Sequence, residues 1–136
     1  MSSSALSERS GREAATLVGL VALGGFLGAT ARFAVMEFVA ATQLPFWLAT
    51  FAVNLVGCTL MGVLLARISA RTQQRWRAFL GFGVLGAFTT FSTFSGDVIE
   101  LALTSVVGAG LYLLGTAITC LAGVLLGERL GRRRVG

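Results

Sequence analysis

Residues 81–95 read GFGVLGAFTTFSTFS. The first half is apolar enough for a lipid setting, yet Thr89, Thr90, Ser92, Thr93 and Ser95 then place five hydroxyls within seven residues, with Phe91 and Phe94 between them. A plain membrane anchor needs none of these. Hydroxyl-rich and glycine-rich backbone is tolerated at membrane depth only where it faces protein or a water-filled cavity. This stretch is therefore where a path for an ion or solute is expected.

The rest of the chain supports a membrane setting. Of its 136 residues 55% are hydrophobic and only 12% charged, against roughly 25% charged in soluble domains. All eleven basic residues are Arg, and they cluster at the ends of apolar runs rather than in one basic stripe, which argues for membrane orientation and against nucleic acid. His is absent, and Cys58 and Cys120 sit in separate apolar runs without metal-ligand spacing, so neither a structural disulfide nor a transition-metal site is expected. No nucleophile, general base or metal cluster suggests an enzyme.

Four apolar segments, each near the roughly 20 residues a bilayer requires, are expected at about 14–34, 46–66, 78–103 and 106–126. Residues 1–13 then form a polar N-terminal tail, 14–127 the transmembrane domain and 128–136 a basic C-terminal tail. Pro45 falls at the start of the second helix, where proline is tolerated. Arg9 and Arg12, then Arg67, Arg71, Arg75 and Arg77, then Arg129, Arg132, Arg133 and Arg134 all fall on one side; only Arg32 lies toward the other, with Glu37 and Glu100. The positive-inside rule makes the Arg-rich side cytoplasmic, with both termini there, in a multi-pass protein of the inner (plasma) membrane.

Two glycine pairs, Gly24 with Gly28 and Gly123 with Gly127, have the GxxxG spacing that lets helices approach closely in lipid, though glycine is also common in membrane helices without such a contact. The third span is too long: 26 residues as one helix reach about 39 Å, against a hydrocarbon core of roughly 30 Å. Tilt absorbs part of the excess. A break near 86–90, eased by Gly86, absorbs it as well and exposes main-chain groups at mid-membrane, as in transporters. An unbroken helix whose hydroxyls bond back to preceding carbonyls is the competing reading.

The run GAFTTFSTFSGD at 86–97 closely resembles the signature of the CrcB/Fluc family of small fluoride channels. GGFLGATARF at 24–33 is similar to that family's first helix, and TFAVNLVGCTLMG at 50–62 to its second helix with a central Asn. The resemblance implies an all-α membrane protein of four transmembrane helices, the third interrupted at mid-membrane, assembled as an antiparallel dimer. It implies two fluoride paths and a central sodium ion held by the main-chain carbonyls of Gly86 and Thr89 from both subunits. Phe91 and Phe94 would line the anion path with their ring edges, beside Asn54. Ser92 and Thr93 would add hydroxyls from the third helix, Tyr112 and Thr116 from the fourth, and Arg32 would stand in the vestibule. The next position on the fourth-helix face is Cys120, with Thr119 adjacent, and Asp97 stands where the family usually has Glu.

Physical chemistry suits such a path. A fixed cation at mid-membrane would hold a small anion too firmly for conduction. Neutral donors avoid this: Asn54 carries two N–H groups, each Thr or Ser one O–H, and a phenyl edge is weakly positive. Other readings of the same residues stand beside these. Phe91 and Phe94, three apart on one helical face, also fit core packing; Asn54 also fits a helix-to-helix hydrogen bond. Tyr112 also fits an interfacial belt, Arg32 a snorkelling side chain, and Trp47 and Trp76 interface anchors.

One conflict is built into the chain. An antiparallel homodimer requires one sequence to insert both ways, whereas ten of its eleven Arg lie on one side. The expected partner is thus an oppositely oriented homologue, with a second copy through partial dual insertion as the alternative. Two other functions compete: a small four-helix drug or cation exporter, which would be expected to keep a carboxylate in its first helix where 15–33 has none, and a membrane assembly subunit without transport.

Overall fold

The structure is a computed structural model that describes residues 3–42, 44–68 and 73–132, with side chains from Ser10 onward. Of the arginines that set the expected orientation, Arg71, Arg133 and Arg134 lie outside the described residues, as does the side chain of Arg9. Four helical spans are long and apolar enough to cross a membrane: Ser10–Ala40, Trp47–Arg67, Gln74–Thr104 and Val106–Arg132. The first helix extends back to Ser3 and the last runs on to Arg132, so both polar ends continue the helices they flank. Backbone hydrogen bonding carries a helix past the point where its side chains stop being apolar. The second helix opens just after Pro45, whose carbonyl accepts the Leu48 N–H at 3.0 Å.

The third span is made of parts. One α turn, Gln74–Trp76, leads into a widened π-helical stretch, Arg77–Leu85, and a short α segment, Gly86–Phe88. The Gly86 N–H reaches back to the carbonyls of Gly81 and Gly83. Thr89 and Thr90 are then extended, at φ −71°, ψ 152° and φ −142°, ψ 116°, and a separate helix, Phe91–Thr104, completes the crossing. The excess length is thus taken up by a real interruption at Thr89 and Thr90, not by an unbroken tilted helix.

Alternate spans pair side by side and run in the same direction. The first helix packs on the π-helical stretch: a Cβ on Gly24 would overlap the Phe79 carbonyl oxygen, and one on Gly28 that of Val84. The second helix packs on the last in the same way, with Gly123 against Leu55 and Thr59, Gly127 against the Thr59 carbonyl, and Gly62 against that of Val124. Both glycine pairs are therefore genuine close helix contacts, and Gly131, set against Val63 and Ala66, extends the second by another turn. The helix Phe91–Thr104 leans on the last helix and, more lightly, on the second.

The interior is built from small residues. Among the described residues the buried apolar side chains are Ala49, Val53, Ala78, Leu85 and Ala109, while large ones such as Phe26, Phe33, Phe82 and Leu121 face outward. That is the reverse of a soluble core and is what lipid allows, since helices there associate through close packing rather than by hiding apolar surface from water. Gly28→Leu, which drives a side chain into the Val84 carbonyl, is expected to lower stability by about 1–3 kcal/mol. Gly25→Leu, where a Cβ meets nothing within 4 Å, is expected to leave it unchanged. Thermal unfolding of the two variants in detergent checks the contrast.

Candidate functional site

The interruption is held by one side chain. Thr90 donates its N–H to Asn54 Oδ1 at 2.8 Å, and Asn54 Nδ2 donates to the Thr90 carbonyl at 3.0 Å. The carboxamide thus pairs with both polar groups of one residue's backbone, at a site where Asn54 is 9% and Thr90 4% exposed. Gly57, one turn further along the second helix, leaves room for the Thr89 methyl, so the break can lie directly on that helix.

The bonding around this pair explains how the helix stops and restarts. In an unbroken α-helix the Thr90 N–H would close on the Gly86 carbonyl, and the Thr93 N–H on that of Thr89. Here the Thr90 N–H goes to Asn54, and the Thr93 N–H goes to Thr90 Oγ1 at 3.2 Å, making Thr90 the N-cap of Phe91–Thr104. The carbonyls of Gly86 and Thr89 are thereby released from their usual donors. Thr90 Oγ1 in turn donates to Thr93 Oγ1 at 2.9 Å and lies 3.3 Å from Ser92 Oγ. Of the five hydroxyls in this run, Thr89 and Ser95 bond back to preceding carbonyls, those of Leu85 and Phe91.

Beside the break lies a cavity of about 300 Å³ walled by Asn54, Phe91, Phe94 and Thr116, with Cys58 and Cys120 also on its wall. The Phe91 and Phe94 rings are 6.0 Å apart at 46°, and Phe94 continues to Tyr112 at 5.4 Å. A second cavity of about 480 Å³, which contains Trp47 and Tyr112, shares Thr116 with the first. Among the described residues no ionised group lines either cavity. Thr116 is 4% exposed and, among the described residues, its hydroxyl makes no hydrogen bond of normal geometry, so it offers a buried donor toward the cavity. A buried polar atom left in this state costs about 1–3 kcal/mol unless another species satisfies it. The Tyr112 hydroxyl donates to Asp97 Oδ2 at 3.2 Å, which accounts for a carboxyl that is only 8% exposed.

The structure brings Asn54, Phe91, Phe94 and Thr116 onto one cavity, and Tyr112 onto its neighbour. Ser92 and Thr93 join through Thr90. Gly86 and Thr89 sit at the break itself, while Arg32, half-buried on the first helix, lines neither cavity. Phe91 is 79% exposed and so is not core packing, and Asn54 does make the helix-to-helix bond that its position in a span allows. On the last helix Cys120 faces the cavity, whereas Thr119 bonds to the Gly115 carbonyl at 2.7 Å. Sequence reasoning missed Thr90, whose signal was a capping residue three before Thr93, and the Asp97–Tyr112 bond, for which spacing holds no signal.

A sequence profile described as "CrcB-like protein, Camphor Resistance (CrcB)" matches residues 19–128, from the first helix through the last. The chain belongs to the CrcB family. Its relatives include a protein named fluoride-specific ion channel FluC from Paracoccus denitrificans, 41% identical over 113 residues, covering 82% of this chain and 91% of that one. FluC of Idiomarina loihiensis is 43% identical over 109 residues, covering 76% and 83%. FluC 1 of Streptomyces coelicolor is 42% identical over 129 residues, covering 92% and 84%. The CrcB match takes in every residue of the break and both cavities.

Asn54→Ala strands the buried Thr90 N–H and is expected to destabilise the chain by about 1–3 kcal/mol. Asn54→Asp keeps the acceptor for that N–H and loses the donor to the Thr90 carbonyl, so its loss should be of the same order. Thermal unfolding of both variants in detergent, compared with Phe91→Ile at an exposed ring, separates a bond that holds the break from a merely path-lining amide.

Proposed function

We propose that this chain is a passive fluoride channel, not an enzyme, that lets cytoplasmic fluoride leave the cell. The observation that carries this reading is the cavity at the break, walled by phenyl rings and by the Thr116 hydroxyl, with no fixed cation among the described residues that line it. An anion there exchanges part of its water shell for neutral donors and positive ring edges, which hold it without trapping it. The helix Phe91–Thr104 begins beside the cavity, and its N-terminal end adds the partial positive charge of a helix dipole at the depth where lipid is least forgiving. Thr116, shared by the two cavities, links them into one route past Phe94 and Tyr112.

The names of the relatives support fluoride as the ion. The chain's own chemistry supports a partner subunit. Phe91 and Ser92 are exposed at mid-span in the single chain, and a hydroxyl bared to lipid at that depth needs protein or water beside it. An inverted neighbour laid against this face completes two paths as an antiparallel dimer. The carbonyls of Gly86 and Thr89, freed from their helical donors, fit a central sodium ion, since a hard cation takes neutral oxygen ligands and two chains would supply four. Bound there, it would supply a positive charge that eases the passage of anions nearby.

Efflux from liposomes containing this chain, alone and with an oppositely biased homologue, is the test. Fluoride efflux is expected to exceed chloride efflux, and Phe91→Ile, Asn54→Asp and Thr116→Val are each expected to lower it at least tenfold. Equal chloride and fluoride efflux, or flux indifferent to all three substitutions, would sink the proposal.

The charge bias points to a partner that is a homologue of opposite orientation rather than a second copy, with both termini of this chain cytoplasmic. Ser3→Cys and Glu37→Cys, placed in a background with Cys58→Ser and Cys120→Ser and exposed to an impermeant thiol reagent on intact cells, check this. Labelling from outside is expected at position 37 and not at position 3; equal labelling at both would establish dual insertion instead.

A further inference from the structure

Cys58 and Cys120 are the two cysteines of the chain, and both are free thiols. They stand on different helices, half-buried, on the wall of the same 300 Å³ cavity. Each lies four residues beyond a cavity residue on its own helix, Asn54 and Thr116, and so repeats that face one turn further along. The glycine contact of Gly123 with Leu55 and Thr59 holds the two helices close at this level.

We propose that Cys58 and Cys120 form a two-thiol site for a soft d10 cation of the copper(I), silver(I) or mercury(II) kind, and that its occupation blocks the cavity. Soft sulfur ligands select such ions. Among the described residues no group of three or more His, Cys, Asp or Glu gathers to hold a metal, so zinc lacks the ligand set it needs at this cavity. A linear two-coordinate ion needs only two sulfurs. On binding, each thiol releases its proton to water and donates a sulfur lone pair to the metal; no electron is transferred. The block rests on the channel reading above, whereas the binding does not.

Mercury(II) is the probe, added to the full chain in detergent after reduction and removal of the reductant. One equivalent per chain is expected to bring the ultraviolet sulfur-to-metal absorption to a plateau and to protect both thiols from maleimide. Cys58→Ser and Cys120→Ser are each expected to bind at least tenfold more weakly, with Cys→Ala replacing either one that fails to purify as the parent does. A plateau at two equivalents, or single variants that bind as tightly as the parent, would overturn the site. In fluoride-loaded liposomes containing the chain together with its oppositely oriented homologue, one equivalent is expected to cut efflux at least tenfold for the parent and to leave that of the double variant at its own starting rate. Unchanged efflux with the ion bound would overturn the block. No efflux before mercury is added would count against the channel reading, and the absorption titration alone would then decide the thiol site.

Discussion

The two hydrogen bonds between the Asn54 carboxamide and the backbone of Thr90 are the constraint on which the rest of the molecule depends. A break in a helix at membrane depth strands main-chain groups that water cannot reach, and each one left unpaired costs several kcal/mol. Asn54 takes up both polar groups of one residue in the extended break, and Thr90 then uses its own hydroxyl to restart the helix. The interruption is affordable only because a single side chain on a neighbouring helix replaces the missing turn. The carbonyls of Gly86 and Thr89, without their usual helical donors, lie on one side of the break, and the N-terminal end of Phe91–Thr104 lies on the other.

That arrangement needs a rigid frame, and glycine supplies it. Burying apolar surface cannot drive helices together in lipid, so backbone-to-backbone contact at Gly24, Gly28, Gly62 and Gly127 does the holding. The same contacts leave large side chains little part in the interior, which explains why Phe and Leu crowd the outside. The widened turns of Arg77–Leu85 fall in the segment packed on Gly24 and Gly28, and such π-helical geometry is frequent near functional sites.

Much of this was legible in the order of residues. Hydropathy located the four spans, and the length of the third together with its run of Thr and Ser located the break. The helix ends were less legible, because Ser10 and Arg132 belong to helices although nothing about their polarity says so. Asn54 was recognisable as a costly residue in search of a partner, but that partner is main chain 36 residues away, and a backbone group carries no mark in the sequence. The widened stretch was invisible for a related reason: Arg77–Leu85 is uniformly apolar after its first residue, and apolar residues do not report whether the turn holds 3.6 or more. Between Thr119 and Cys120 only coordinates decide, since adjacent positions differ by about 100° around a helix.

The parallel pairing of alternate spans has a consequence for biosynthesis. Neighbours along the chain insert in opposite directions, so the first helix waits for the third and the second for the last before either close crossing forms. During translation, Asn54 enters the bilayer well before the Thr90 peptide that will satisfy it has been made. The nascent chain therefore passes through a stage in which an unpaired carboxamide sits in lipid or at the translocon, and the speed with which the third span follows sets how long that stage lasts.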